Sequence, residues 1–172
     1  LPKKYIFYPA MYLPHKNHKY VVDTIEILKS EYQIDLHAVF CGGDKGYLKK
    51  IKKYVHDKKE SKNIIFLDFV EGAHLPYLYL NSLALVMPTL SGPTNIPPWE
   101  AFKMNIPVFY SDIHNIRKVY KDAVYYIDPF DPQSMAKGIR DIINDKNLKD
   151  KLTDNGKKLL NSIKVDKEFE QF

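Results

Sequence analysis

Leu83-Ala-Leu-Val-Met87, followed by Ser91-Gly-Pro-Thr-Asn-Ile-Pro-Pro-Trp-Glu100, is the stretch whose reading decides the fold. The first five residues form a compact apolar run, as expected of a buried strand. The chain then breaks at Pro88, Gly92 and Pro93, and either Thr94 or Asn95 can cap a helix whose first turn holds Pro97 and Pro98. Prolines fit a first turn, where backbone N–H groups lack intrahelical partners; the remaining free amides point outward with the positive end of the helix dipole. A strand, a loop and a helix N-terminus in that order make a natural phosphate seat. Glu100 lies about one turn inside the helix, where its carboxylate could accept hydrogen bonds from two neighbouring sugar hydroxyls. The same carboxylate would equally complement the helix N-terminus.

Outward from this stretch, strand and helix patterns alternate. Tyr5 to Pro9 reads as a strand, and Pro14-His-Lys-Asn17 leads into a helix with Val21, Val22, Ile25 and Leu28 at helical spacing. Asp35 to Cys41 reads as a strand ending in Gly42-Gly43-Asp44, followed by an amphipathic helix through Tyr47, Leu48, Ile51 and Tyr54. Ile64 to Leu67 is a third strand, Leu75 to Leu80 a short helix, Pro107 to Tyr110 a fifth strand and Ala123 to Ile127 a sixth. A short helix is expected between them over Asn115 to Tyr120. Helices over Gln133 to Ile143 and Asn147 to Leu160 complete the chain, and the charged segment Lys164 to Phe172 has no obvious place. Such alternation predicts an α/β fold with a doubly wound parallel sheet and helices on both faces. The whole is one Rossmann-like domain over residues 1–163 with a tail at 164–172.

Pro97-Pro98-Trp99-Glu100-Ala101-Phe102, with Asn105-Ile106-Pro107-Val108 and Ser111-Asp112 after it, resembles the donor-site signature of retaining glycosyltransferases of family 4, whose motif reads E-G-F-G-L-P-P-L-E-A-M-x-x-G-x-P-V. The resemblance extends over most of the chain and implies the C-terminal, donor-binding half of a GT-B enzyme. It implies that Glu100 binds the ribose of a nucleotide-sugar, and that amides around Gly92, Thr94, Asn95 and Ile96 hold the diphosphate. Lys16 matches the family's phosphate-binding lysine and would stabilise the departing diphosphate. Phe69 and Val70 match the position whose backbone groups bind the base, Leu75 would cover the base, and Gly42 and Gly43 match the second β-turn-α element. As a pair of glycines alone, these two would equally make a tight turn.

Two departures from the family pattern stand out. Gly92 occupies the place of the first glutamate of the motif, which usually contacts the transferred sugar. Ala10 occupies the place of the arginine that accompanies the lysine. A non-catalytic nucleotide-binding module and a nucleotide-sugar epimerase of the same fold are the alternatives the sequence leaves open.

With 172 residues and 45% hydrophobic residues, including 13 tyrosines and 9 phenylalanines, the chain can fill one core. Net charge is +5, carried mainly by dispersed lysines such as Lys49-Lys50 and Lys157-Lys158. This balance suits a nucleotide-sugar diphosphate or peripheral contact with an acidic membrane surface. No arginine-rich arm or RNA-binding aromatic motif accompanies it, so a nucleic-acid partner is not expected. No metal or other cofactor is expected either: the six histidines show no ligand spacing, and no D-x-D appears. Cys41 is the single cysteine and no run of about 18 apolar residues exists, which points to the cytoplasm, with membrane association possible only at the surface. The chain begins at Leu1 and so reads as an excised fragment, and the resemblance implies that an acceptor-binding N-terminal domain lies elsewhere.

Overall fold

The computed structural model describes residues 1–60, 62–70, 72–92 and 95–165. Among these residues six strands form one parallel sheet: β1 (Tyr5–Pro9), β2 (His37–Cys41), β3 (Ile64–Leu67), β4 (Ala84–Met87), β5 (Val108–Ser111) and β6 (Tyr125–Ile127). Their order is β3-β2-β1-β4-β5-β6. Tyr5 stands beside His37 and Ile6 beside both Ala38 and Ala84, so β1 lies at the centre. Central parallel strands are covered on both faces and read as unbroken apolar runs. Accordingly Tyr5 to Tyr8 of β1 and all four residues of β4 and of β5 are buried, whereas edge strand β3 buries only Ile64.

Among the described residues, five α-helices lie between the strands, α1 (His18–Ser30), α2 (Leu48–Asp57), α3 (Leu75–Leu80), α4 (Ile96–Lys103) and α5 (Ile116–Tyr120), and two follow β6, α6 (Pro132–Asn144) and α7 (Lys146–Val165). The chain winds one way from β1 through β3 and the other way from β4 through β6. With right-handed crossovers, this reversal puts helices on opposite faces of the sheet. α1 packs against α2 and α6, and α7 against α4 and α6. The order reverses between β1 and β4, which opens a crevice outside their carboxyl ends where ligands of such sheets bind.

The expected element types and their order are those observed. β1, β3 and α3 keep the expected limits, while the strand expected from Asp35 starts at His37 and the one expected from Ala123 starts at Tyr125. The boundary expected at residue 163 falls inside α7, which runs through Val165; the tail's Phe169 and Phe172 lie outside the described residues. No helix among the described residues is long and apolar enough to cross a membrane.

Candidate functional site

The loop leaving β1 lies down over the end of β2. A β-carbon on Gly42 would sit 2.3 Å from the Ala10 carbonyl oxygen, so only glycine lets the two backbones approach this closely. Beside it, the Tyr12 amide donates to the Gly43 carbonyl at 3.1 Å. Both glycines therefore support the β1 loop, Gly42 by its missing side chain and Gly43 by its carbonyl. Ala10 is buried in this contact.

The loop then turns back through a single 3-10 turn, Pro14–Lys16, and Asn17 adopts a left-handed conformation with φ 57° before α1 begins. Three sets of bonds hold this turn. Tyr8 OH donates to the Lys16 carbonyl at 2.5 Å. The His15 carbonyl accepts from the Leu90 amide at 2.8 Å and from Thr89 Oγ1 at 3.2 Å, joining the loops that follow β1 and β4. Asn17 Nδ2 donates to the Pro129 carbonyl at 2.9 Å. Lys16 is thereby carried across the switch point.

Across the crevice, Gly92 has φ 114°, a conformation that side chains rarely adopt, and this gives its presence a backbone reason. Asn95 occupies the N-cap position of α4 in an extended conformation, yet its side chain does not cap the helix. Its Oδ1 accepts from Lys16 Nζ at 3.0 Å, and its Nδ2 donates to Tyr110 OH at 2.5 Å. Tyr120 OH reaches the Asn95 carbonyl at 3.4 Å. Because Pro97 and Pro98 lack an N–H, Ile96 supplies the only amide donor among the first three helical residues. The terminus therefore presents its dipole and few free amides to the crevice. Partial burial lowers the Lys16 pKa from its ordinary value. Thr94 lies outside the described residues.

One turn along α4, Glu100 Oε2 accepts from Tyr79 OH at 2.6 Å. Tyr79 sits on α3 and is fully buried. Burial first, and the Glu100 carboxylate second, push its pKa well up, so the phenol stays a donor and fixes the carboxylate. Leu75, at the start of the same helix, is half-buried, as is Val70. Phe69, by contrast, is 81% exposed after β3. The fold therefore gathers Lys16, Gly92, Asn95, Ile96 and Glu100 along the β4 side of the crevice, while Phe69, Val70 and Leu75 mark its β3 side.

Sequence reading missed His18. It is 1% exposed, with its ring among Tyr8, Tyr12 and Phe40 at 4.7 to 5.1 Å, and neither ring nitrogen has a hydrogen-bond partner among the described residues. Desolvation pushes its pKa down to about 3, the Ala10 backbone offsetting and Lys16 reinforcing the shift. The signal was available, since His18 shares the apolar face of Val21, Val22 and Ile25 at spacings of three, four and seven. The roles of Tyr8, Tyr79 and Tyr110 carried no comparable signal. Among the described residues no group of three or more histidines, cysteines and carboxylates is placed to hold a metal ion.

Residues 1–159 match the family described as glycosyl transferases group 1. An O-antigen chain mannosyltransferase of Salmonella typhimurium is 30% identical over 129 residues, covering 75% of this chain and 35% of the relative. The chain thus spans about a third of that relative's length. Sucrose-phosphate synthase of Thermosynechococcus elongatus superposes with a TM-score of 0.81 at 18% identity, over 94% of this chain and 42% of that one. The Anabaena protein HepE, solved in complex with UDP and glucose, superposes with a TM-score of 0.79 at 15% identity, over 92% of this chain and 43% of that one. At these identities the structural likenesses establish the fold: a Rossmann-like domain matching those of GT-B glycosyltransferases.

Proposed function

The chain belongs to the glycosyl transferases group 1 family, and on that premise we propose that it is the donor-binding half of a retaining, family 4-like enzyme of GT-B fold. The enzyme would move a sugar from a nucleoside-diphosphate sugar to a glycan or lipid-linked acceptor. One observation carries the reading: Lys16 and the N-terminus of α4, from loops 79 residues apart in sequence, meet through Asn95 at the crevice where the sheet reverses order.

Transfer breaks the bond between the anomeric carbon and the diphosphate oxygen, leaving negative charge on the departing diphosphate and an oxocarbenium-like sugar. A group that stabilises that charge lowers the barrier. Lys16 would do so directly, the α4 dipole and the Ile96 amide would add to it, and Glu100 would anchor the ribose through its two hydroxyls. With positive charge supplied this way, binding needs no divalent ion. The acceptor wall would belong to a second domain, in keeping with the chain's coverage of 35 to 43% of its longer relatives. The named activity of the Salmonella relative supports a role in polysaccharide assembly. A lipid-linked acceptor would bring the enzyme to a cytoplasmic membrane surface, which suits its net charge of +5.

Gly92, standing where the family's sugar-contacting glutamate is expected, favours a second reading as a nucleotide-binding module without transfer. Calorimetric titration with UDP, GDP, ADP and their sugar conjugates, with and without EDTA, separates the two. The transferase reading expects weak binding, preference for a sugar conjugate, indifference to EDTA and no transfer by this chain alone. Equal affinity for a nucleotide and its sugar conjugate favours the second reading. Binding abolished by EDTA would overturn the phosphate site, and robust transfer by this chain alone would overturn the two-domain reading.

A further inference from the structure

Tyr110 lies on β5 and is fully buried, so it is not itself placed to touch a donor. Its hydroxyl nonetheless bonds to the side chain of Asn95, which accepts from the Lys16 ammonium. An ammonium group only donates, so the Asn95 atom facing Lys16 must be the amide oxygen; Nδ2 then faces Tyr110, whose oxygen accepts. We propose that Tyr110 is a positioning residue that, through Asn95, holds the Lys16 ammonium in the crevice before a diphosphate arrives. This rests on the reading of Lys16 as a diphosphate contact.

Three features carry the proposal. Tyr110 belongs to a central strand and its ring lies 4.9 Å from that of Tyr120, so the anchor has little freedom of its own. The lysine stem is flexible and rich in rotamers, and ordering it in advance spares an incoming ligand that cost. Finally, the holding group is a neutral amide. A carboxylate in its place would pair with the ammonium and compete with a phosphate; the amide oxygen orients Lys16 and leaves its charge intact. With Tyr8 on its carbonyl and Asn95 on its ammonium, Lys16 is fixed at both ends.

Calorimetry with inorganic pyrophosphate and with uridine, guanosine and adenosine tests this on the chain itself, using Tyr110→Phe, Lys16→Ala and the double variant. The phenylalanine change removes one hydroxyl from a buried ring, and thermal unfolding checks that the fold persists. Y110F should weaken pyrophosphate binding about threefold to tenfold, as loss of one hydrogen bond does, and leave nucleoside binding unchanged. In the K16A background the same change should have no effect on pyrophosphate. An undiminished loss in that background, or no loss in Y110F alone, overturns the proposal. Pyrophosphate binding unaffected by K16A would instead fail the diphosphate reading of Lys16, and the proposal with it. If Y110F does not fold, Asn95→Asp replaces it: a preserved shape with a carboxylate against Lys16 should weaken pyrophosphate binding more than tenfold, and unchanged binding overturns the proposal.

Discussion

Lys16 is held at its carbonyl by Tyr8 and at its ammonium by Asn95, and its turn is tied to the β4 loop through His15 and to Pro129 through Asn17. At the other end of the crevice, Phe69 projects 81% exposed from the segment after edge strand β3 and Val70 is only half-buried. The end reading as the phosphate site is built between two central strands and buttressed by buried tyrosines; the end reading as the base site relies on backbone beside the sheet's edge. Charge stabilisation needs fixed geometry, whereas a base held by backbone groups needs only a matching edge. The difference teaches where substitutions should matter.

Gly42→Ala should produce the largest effect. Its β-carbon would stand 2.3 Å from backbone rather than from a movable side chain, and the two loops would have to separate. A loss of about 3 kcal/mol or more of stability is expected in urea unfolding. Gly43→Ala, with nothing within 4 Å, should stay within about 0.5 kcal/mol. Equal losses would show that the β1 loop is not held by the Gly42 contact.

Next in size is Glu100→Gln. It keeps the shape and the Tyr79 contact but loses charge-assisted bonds worth about 1.5 to 3 kcal/mol, so nucleoside affinity should fall about tenfold or more with the fold intact. An unchanged dissociation constant removes Glu100 from the ribose site.

His18 gives the fixed end a pH dependence. Its folded pKa, about 3, lies below the unfolded value of 6.5, so below pH 6.5 the unfolded chain takes up a proton that the folded chain does not. Its contribution is thus fully present above pH 6.5 and is lost progressively as pH falls towards 3. Relative to His18→Phe, the wild type should lose about 1.4 kcal/mol of stability per pH unit below 6.5, or roughly 2 kcal/mol by pH 5. Parallel urea-midpoint curves for the two proteins from pH 7 to 5 would contradict this.

The smallest effect belongs to the exposed end. Phe69→Ala removes a side chain that the fold barely uses, and nucleoside affinity should change by less than about twofold if the backbone holds the base. A loss larger than that of E100Q would reverse the comparison between the two ends.

Local sequence determined a good deal of this protein. The run Leu83 to Met87 and the proline-bearing first turn after Asn95 announced β4 and α4, because apolar periodicity and turn chemistry act over a few residues. The alternation of elements gave a parallel α/β sheet for the same reason. The pairing of Lys16 with Asn95, of Tyr79 with Glu100 and of Tyr110 with Asn95 spans 79, 21 and 15 residues. No local pattern encodes such contacts; they exist because the sheet places β1 beside β4 and β4 beside β5. Tyrosines that read as core filling use their rings for the core and their hydroxyls for the site. Which role each hydroxyl takes depends on what the tertiary structure leaves within 3 Å of it, since a buried polar group must find its partner wherever the fold supplies one.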